Sequence, residues 1–311
     1  MITFIIALIL LIAGYFIYGT IVEKLFGINE NAETPAVKFN DGVDFVPMPA
    51  WRIFMIQFLN IAGLGPIFGA IMGAMYGASA FLWIVFGCIF AGAVHDFFSG
   101  MLSIRHDGAS IPEVVGQYLG NGVKQFMRGF SVILLLLVGV VFILGPAGIL
   151  STLAGDNGWP ALLQNKTLWL VIILAYYVAA TMLPVDKVIG KVYPIFGAAL
   201  LIMAFGLLIS LFVNNAPIPN LTMETIQNMH SKADTQPLFP MLFITIACGA
   251  ISGFHSTQSP MMARCMKSEK LGRRIFYGAM ITEGIVALIW AAAAMSFWGG
   301  IQELNDTIPC L

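Results

Sequence analysis

The sequence predicts an all-α, polytopic membrane protein, and two features of its composition and one of its pattern support this. Hydrophobic residues make up 59% of the 311 residues, whereas charged residues make up only 10%. A soluble domain carries about a quarter charged residues, so this chain is not built to be surrounded by water. The apolar residues are also collected into long runs, close to the roughly 20 residues that a helix needs to cross a bilayer.

Eight runs fit that length, and the main polar loops between them are 23–50, 104–127 and 214–237. The first run has no basic segment before it, and Glu23 and Lys24 follow it in place of a small-residue cleavage site. We therefore expect a retained membrane helix rather than a signal peptide. The predicted spans are 2–22, 51–77, 79–103, 128–152, 166–184, 190–213, 238–262 and 274–298.

Basic residues indicate the direction in which the helices cross. If the N-terminus lies outside, all of the 15 Lys and Arg residues except Lys166 and Lys232 fall on the cytoplasmic side. Positive charge is retained on that side during membrane insertion, so we predict an N-terminus outside the cytoplasm. The formal net charge of −1 leaves no basic excess that would attract nucleic acid.

The second and seventh predicted spans each contain a break. Residues 63–69 read GLGPIFG, and residues 249–260 read GAISGFHSTQSP. Proline removes a backbone donor and glycine lowers the cost of leaving helical geometry. Because unwound backbone at membrane depth survives only inside protein or beside a wet cavity, the breaks form the predicted substrate site. Its candidate residues are Gly63, Gly65, Pro66, Gly69, Gly249, Ser252, Gly253, His255, Ser256, Thr257 and Gln258.

The spacing of the two breaks favours a site over simple close packing of small residues, which is common where membrane helices meet. The broken spans are five apart, so they enter the bilayer from opposite sides, as in an inverted repeat. A complete second repeat needs five helices, and the sequence from 238 onward contains two, so we expect it to be incomplete. The predicted organisation is an extra N-terminal helix and cytoplasmic loop (1–50), a first five-helix repeat (51–214), an extracytoplasmic loop (215–237) and the start of the second repeat (238–311).

Two acidic residues, Asp96 and Glu283, lie well inside predicted spans, and no Lys or Arg does. A carboxyl group inside a membrane is expensive and often serves a proton or ion pathway, although a hydrogen-bonded structural carboxyl is the plain alternative. We predict proton coupling through Glu283, Asp96 and His95. Because His95 and Asp96 are adjacent, their side chains point about 100° apart on a helix and do not share a face.

Polar side chains beside the breaks offer further substrate contacts. His255 can donate to an anion, change charge with pH, or cap the unwound backbone. Exposed N–H groups at the N-termini of half-helices attract carboxylates, so an anion needs no arginine here. Gln57 and Asn60 precede the first break and are candidate wall residues, with satisfaction of freed backbone groups as the alternative for Asn60.

A metal or enzyme site built from His95, Asp96, Cys248 and His255 is the competing interpretation. The sequence has no HExxH motif, and no pair of these ligands has i, i+4 spacing on one span. The four cysteines form no CxxC pair. We therefore expect no enzymatic activity, no metal and no cofactor, and we expect the partners to be a small-molecule substrate, protons and the lipid bilayer.

Residues 247–260, ACGAISGFHSTQSP, resemble the signature of the carbon starvation protein A family. Shorter stretches resemble the family in the same order, with GPIFG at 65–69, GAVHDF at 92–97, PVDK at 184–187 and YP at 193–194. The resemblance implies a multi-pass transporter of the bacterial inner membrane, associated with carbon limitation and similar to LeuT-like transporters with two inverted five-helix repeats. Members of the family are longer at the C-terminus, which agrees with an incomplete second repeat here.

The resemblance also implies a substrate that is either a pyruvate-like monocarboxylate or a small peptide. The leading hypothesis is proton-coupled import of a small carboxylate such as pyruvate by alternating access. Uptake of di- or tripeptides is the alternative, in which Glu283 or Asp96 contacts the peptide ammonium group. A membrane sensor or channel that uses the same cavity is a further alternative.

Overall fold

The computed structural model describes residues 1–182 and 185–307, with residues 182 and 185–193 described by their backbone only. Pro184, which belongs to one stretch of the family resemblance, and residues 308–311 of the predicted second repeat lie outside this range. Among the described residues all regular structure is helical, which confirms the all-α prediction. The α-helices are α1 (Ile2–Phe16), α2 (Tyr18–Phe26), α3 (Pro35–Lys38), α4 (Ala50–Ala62), α5 (Ala70–Ala74), α6 (Ser79–Gly87), α7 (Ala93–Arg105), α8 (Ile111–Leu119), α9 (Asn121–Asp156), α10 (Ala161–Gln164), α11 (Lys166–Met182), α12 (Val185–Val213), α13 (Phe243–Thr245), α14 (Ala247–Ala250), α15 (His255–Ala263), α16 (Gly278–Phe297) and α17 (Ile301–Thr307).

Short helical segments of other types join several of these helices. A 3-10 turn covers Glu269–Leu271. The π-helical segments are Gly65–Gly69, Cys88–Gly92, Leu238–Leu242 and Arg273–Tyr277.

Several helices are long and apolar enough to cross a membrane, which confirms a multi-pass membrane protein. A further candidate span is the pair Ala50–Ala62 and Gly65–Ala74, whose two parts are bent by 54°. The described residues contain five such helices, or six candidate spans with the bent pair, which is fewer than the predicted eight. Lys166–Thr181 is a shorter apolar helix, and residues 238–262 form four short helical segments with interruptions at Ile246 and at residues 251–254. The five single-helix candidates are Ile2–Phe26, Ser79–Arg105, Asn121–Asp156, Pro194–Val213 and Glu269–Phe297.

The chain forms two compact units, and the first contains residues 1–111 and the described residues from 192 onward. Helix α16 lies at its centre, with α1, α4, α5 and α6 packed against it and most of its side chains buried. Close approach depends on glycine, because a Cβ on Gly284 would lie 2.7 Å from the Sγ atom of Cys88. The outer face of α1 exposes Ile5, Ile9 and Phe16. Such exposed apolar side chains are expected where a helix faces lipid.

Polar loops close the first unit at the side where the basic residues are concentrated. Glu269 is 2% exposed and accepts hydrogen bonds from Arg105 (Nη2 to Oε2, 3.1 Å) and from the backbone N–H of Asn29 (2.9 Å). The Thr34 hydroxyl donates to the carbonyl of Met266 at 2.5 Å. The loop between α2 and α3 is therefore tied to the segment between α15 and α16.

The second unit covers residues 112–191 and is a hairpin of long helices. Helix α9 packs against α10 and α11, and the Tyr177 hydroxyl donates to the carbonyl of Phe142 at 3.3 Å. Arg128 forms an ion pair with Glu113 at 3.1 Å. Only 6% of the most apolar 18-residue stretch of α9 is buried, as expected for a helix that is surrounded by lipid.

Candidate functional site

The first break separates α4 from α5. Helix α4 ends at Ala62, and Gly63 follows with φ 50° and ψ −135°, a combination that disfavours any residue with a side chain. Gly65–Gly69 then forms a single π-helical turn with Pro66 near its start. The break predicted from the glycines and the proline is therefore present, and its backbone leaves helical geometry at Gly63.

The second break separates α14 from α15. Helix α14 ends at Ala250, Ile251 is extended with φ −155° and ψ 103°, and α15 begins at His255. Within the gap the Ser252 hydroxyl accepts a hydrogen bond from the backbone N–H of Phe254 at 3.3 Å. Within the predicted break at 249–260, the backbone outside the helices is thus limited to residues 251–254.

The two breaks lie against each other. The Ser252 hydroxyl donates to the carbonyl of Ile61 in the last turn of α4 at 3.1 Å. A Cβ on Gly65 would lie 1.9 Å from the Cβ of Cys248, and one on Gly69 would lie 2.7 Å from the carbonyl oxygen of Thr245. The glycines of the first break therefore permit the closest approach between the broken spans.

Asp96 joins three helices beside the breaks. Its Oδ1 accepts hydrogen bonds from Gln57 Nε2 of α4 at 2.8 Å and from the Ser259 hydroxyl of α15, and Gln57 also donates to Ser259 at 3.0 Å. All three side chains are fully buried. The other carboxyl oxygen of Asp96 and the side-chain oxygen of Gln57 have no hydrogen-bond partner.

Ser259 was not singled out from the sequence, although a signal for it exists. It lies four residues after His255, so the two side chains share one face of α15. Both are fully buried. Gln57, predicted as a wall residue, proves to be a hydrogen-bond donor to Asp96.

His95 and His255 face each other across α7 and α15. Their Nδ1 atoms are 3.0 Å apart, so one nitrogen donates and the other accepts. His255 is fully buried and its Nε2 has no partner, whereas His95 is exposed. Asp96 is buried while His95 is not, in agreement with the prediction that the two do not share a face.

Glu283 lies on the central helix α16 and is fully buried, with no hydrogen-bond partner for either carboxyl oxygen. A buried carboxylate without donors is strongly disfavoured, so this position suits a group that carries a proton.

Several predicted substrate residues do not converge on these groups. The hydroxyls of Ser256 and Thr257 donate to the carbonyls of Gly253 and Phe254 at the start of their own helix. Gly253 is exposed, and a Cβ there would meet nothing within 4 Å. The broken segment is therefore not packed against other atoms at residue 253.

The side chains that could bind a metal do not gather into a ligand set. In the part of the chain that the structure describes, no group of three or more His, Cys, Asp and Glu residues has the geometry to hold a metal ion. The buried polar atoms without partners belong instead to two carboxyl groups, one amide, one imidazole, one guanidinium group and two indole rings. This combination suits protons and an organic ligand with hydrogen-bonding groups.

The sequence matches a family model over most of its length. The model, described as carbon starvation protein CstA, matches residues 1–159 and 125–307. The chain belongs to this family. The resemblance of residues 247–260 is therefore confirmed, and the two breaks are features of a CstA family member.

Relatives within the family bear different names. An uncharacterized membrane protein of Haemophilus influenzae is 47% identical over 350 residues, which cover 99% of this chain and 94% of that protein. The pyruvate/proton symporter BtsT of Escherichia coli is 26% identical over 93% of this chain, and the peptide transporter CstA of Campylobacter jejuni is 28% identical over 89%. The chain spans 48% and 47% of the length of these two transporters. No solved structure matches it.

Proposed function

We propose that this chain is a secondary active transporter that imports a small carboxylate, such as pyruvate, together with a proton. The observation that carries the proposal is the crossing of the two broken spans, joined by the hydrogen bond from Ser252 to Ile61, beside buried polar groups without partners. Broken helices that meet at membrane depth are typical of substrate sites in secondary transporters. BtsT, named as a pyruvate/proton symporter, is a relative within the family.

The substrate carboxylate is assigned to the second break. The first N–H groups of a helix have no partner inside it, and in α15 these belong to His255 and Ser256. They attract anions, and the open position at Gly253 leaves room for one to approach. The backbone of Gly63 and Gly65 would form the opposite wall. The remaining proposed contacts are Pro66, Gly69, Gly249, Ser252, Thr257 and Gln258.

The coupled proton is assigned to Glu283, Asp96 and His95. Glu283 has no donor nearby, so a bound proton would offset the cost of burying its charge. Asp96 is held by Gln57 and Ser259, which lie on α4 and α15 respectively. A change in the charge of Asp96 would alter the contact between these two half-helices and so couple protonation to alternating access.

The architecture proposed for this mechanism is LeuT-like, with an N-terminal helix outside the repeats, an N-terminus outside the cytoplasm, and a place in the bacterial inner membrane. The two broken spans would begin the two inverted repeats. The eight spans of the sequence prediction belong to this proposal. It describes a transporter rather than an enzyme.

Uptake of di- or tripeptides is the second candidate, because relatives from C. jejuni, Bacillus subtilis and E. coli are named peptide transporters. A peptide carries an ammonium group at its other end. In this case the free oxygen of Asp96 or the carboxyl of Glu283 would accept a hydrogen bond from that group.

Uptake into proteoliposomes tests the proposal. The complete chain is reconstituted, a pH gradient with an acidic exterior is imposed, and entry of labelled pyruvate is followed in the presence of lactate or a dipeptide. Accumulation of pyruvate above its external concentration, inhibited by lactate more than by dipeptide, is the expected result. Equilibration without accumulation would indicate a channel, and accumulation of the dipeptide instead would indicate the second candidate.

A further inference from the structure

An apolar groove of about 240 Å³ runs between α1, α4 and α16 in the first unit. Its walls include Ile12 and Phe16 of α1, Phe54 of α4, and Ile281 and Ile285 of α16. Ile12 is 45% exposed and Phe16 is 64% exposed, and both lie on the candidate span Ile2–Phe26. The groove therefore opens toward the surface that the hydrocarbon of the bilayer covers.

One end of this groove is marked by Arg274. Its neighbour Arg273 is neutralised, because it forms an ion pair with Glu23 at 3.0 Å and donates to the Thr20 hydroxyl at 2.5 Å. Arg274 is exposed and makes neither a hydrogen bond nor an ion pair with any described residue. A guanidinium group without a partner at the end of an apolar groove suits a phosphate group, which it can bind through two parallel hydrogen bonds.

The charge around this end is positive. The segments α2 and α4 pack against Arg273–Tyr277, and they bring Lys24 and Arg52 to the same region. With Arg273 and Arg274 these make four cationic side chains. The carboxylates on the segments packed against Arg273–Tyr277 include those of Glu23 and Glu269, and these pair with Arg273 and Arg105. Clusters of basic residues at the edge of membrane helices attract anionic lipids rather than zwitterionic ones.

The groove continues along α16. A second apolar groove of about 410 Å³ shares Thr282 and Ile285 with the first and extends to Ile289, with Leu201 and Phe205 of α12 as its other wall. From Arg274 to Ile289 a helix rises about 22 Å. This exceeds the roughly 15 Å of hydrocarbon in one leaflet, so an acyl chain fits along its length.

We propose that this groove is a binding site for one anionic phospholipid, whose phosphate contacts Arg274 and whose acyl chain lies along α16 between α1 and α4. The site is distinct from the crossing of the broken spans. It lies on the outer face of α16, the helix that carries Glu283 on its buried face.

Native mass spectrometry of the complete, detergent-purified chain tests the site. The probes are phosphatidylglycerol and phosphatidylcholine with the same acyl chains. Arg274→Gln removes the proposed phosphate ligand, and Ile12→Trp fills the groove while leaving its charge intact. Lys267→Gln is the matched control, because Lys267 is an exposed cation in a neighbouring loop that does not line the groove.

The expected result is one retained phosphatidylglycerol, bound in preference to phosphatidylcholine. Arg274→Gln should weaken this binding about fivefold, the effect of one cation near a lipid surface, and Lys267→Gln should not change it. Ile12→Trp should weaken binding of both lipids, and glycerol phosphate without acyl chains should not displace the bound lipid. Equal binding by the Arg274→Gln variant and the unmodified chain, or an equal loss in the Lys267→Gln variant, would overturn the proposal.

Discussion

The hydroxyl of Ser252 donates a hydrogen bond to the carbonyl oxygen of Ile61, so a residue in the second broken span satisfies a backbone group in the first. The two residues are 191 positions apart in sequence, and both are fully buried. The carbonyls in the last turn of a helix have no partner inside the helix, so this contact replaces a bond that the break removes. The two breaks therefore stabilise each other.

Replacement of Ser252 by alanine should destabilise the chain by about 1–3 kcal/mol, because it leaves a buried carbonyl without a donor. The measurement is the midpoint of thermal unfolding in detergent, followed by tryptophan fluorescence. Ser256→Ala is the control, because the Ser256 hydroxyl donates to a carbonyl of its own broken segment. Equal midpoints for the two variants would contradict the role given to the contact between the spans.

Replacement of Gly65 by alanine should destabilise the crossing by about 1–3 kcal/mol, since the new Cβ would overlap the Cβ of Cys248. A second change, Cys248→Gly, removes the overlapped atom and should restore part of the loss. The measurement is a double-mutant cycle on unfolding midpoints in detergent. Gly253→Ala is the control, because a Cβ at that position meets nothing within 4 Å. Strictly additive effects of the two changes would show that the contact is not made.

The ion pair that Arg105 forms with the buried Glu269 should contribute more to stability than the exposed pair of Lys38 and Asp107. Glu269 is 3% exposed at its side chain, whereas the side chains of Lys38 and Asp107 are 47% and 62% exposed. Arg105→Gln should cost about 1.5–3 kcal/mol because Glu269 loses two hydrogen bonds from a charged group. Lys38→Gln should cost about 1 kcal/mol or less. Unfolding midpoints in detergent compare the two variants, and a larger loss for Lys38→Gln would refute this ranking.

The loop around His230 should loosen as the pH falls. Burial, and then the charge of Lys232, lower the pKa of His230 from its ordinary value of 6.5. At pH values between the lowered pKa of the closed loop and the ordinary pKa of the opened loop, the opened loop therefore binds more protons. The stabilisation of the closed loop by neutral His230 is present in full above pH 6.5, and it is lost as the pH falls through the lowered pKa.

Hydrogen exchange of residues 228–236 at several pH values, corrected for the intrinsic rate, measures this effect. The neutral imidazole accepts a hydrogen bond at Nδ1 from the backbone N–H of Lys232 at 3.0 Å, and protonation removes that acceptor. Protection should therefore decrease on acidification. His230→Asn keeps an acceptor that does not titrate, so its protection should stay constant. The same decrease in the variant would assign the effect to another group.

The breaks and the buried acids could be predicted from the sequence because their signals are local. Glycine and proline favour a helix interruption at the position where they occur. A carboxyl group within an apolar membrane segment usually faces the protein interior rather than lipid. The pairing of His95 with His255 could not be predicted, because these residues are 160 positions apart and their contact depends on how the helices pack. The contact of Ser259 with Asp96 could not be predicted for the same reason, since Asp96 lies on another helix.

The count of spans was harder to predict than their breaks. An apolar run of suitable length predicts a single helix, but residues 238–262 contain several points at which the backbone leaves helical geometry, including Ile246 and Ile251. The run at 166–184 yields the shorter apolar helix Lys166–Thr181. Composition therefore identified the membrane segments, whereas their division into spans depends on local backbone geometry.

Glu283 is the residue on which proton coupling depends most directly in this account. It is fully buried and has no hydrogen-bond partner, so Glu283→Gln preserves its shape without breaking a contact. The decisive measurement is pyruvate-driven entry of protons into proteoliposomes that contain a pH-sensitive dye. Acidification by the unmodified chain, and none by the Glu283→Gln variant reconstituted at the same density, is the predicted result. Full acidification by that variant would contradict the assignment of the proton to this carboxyl group.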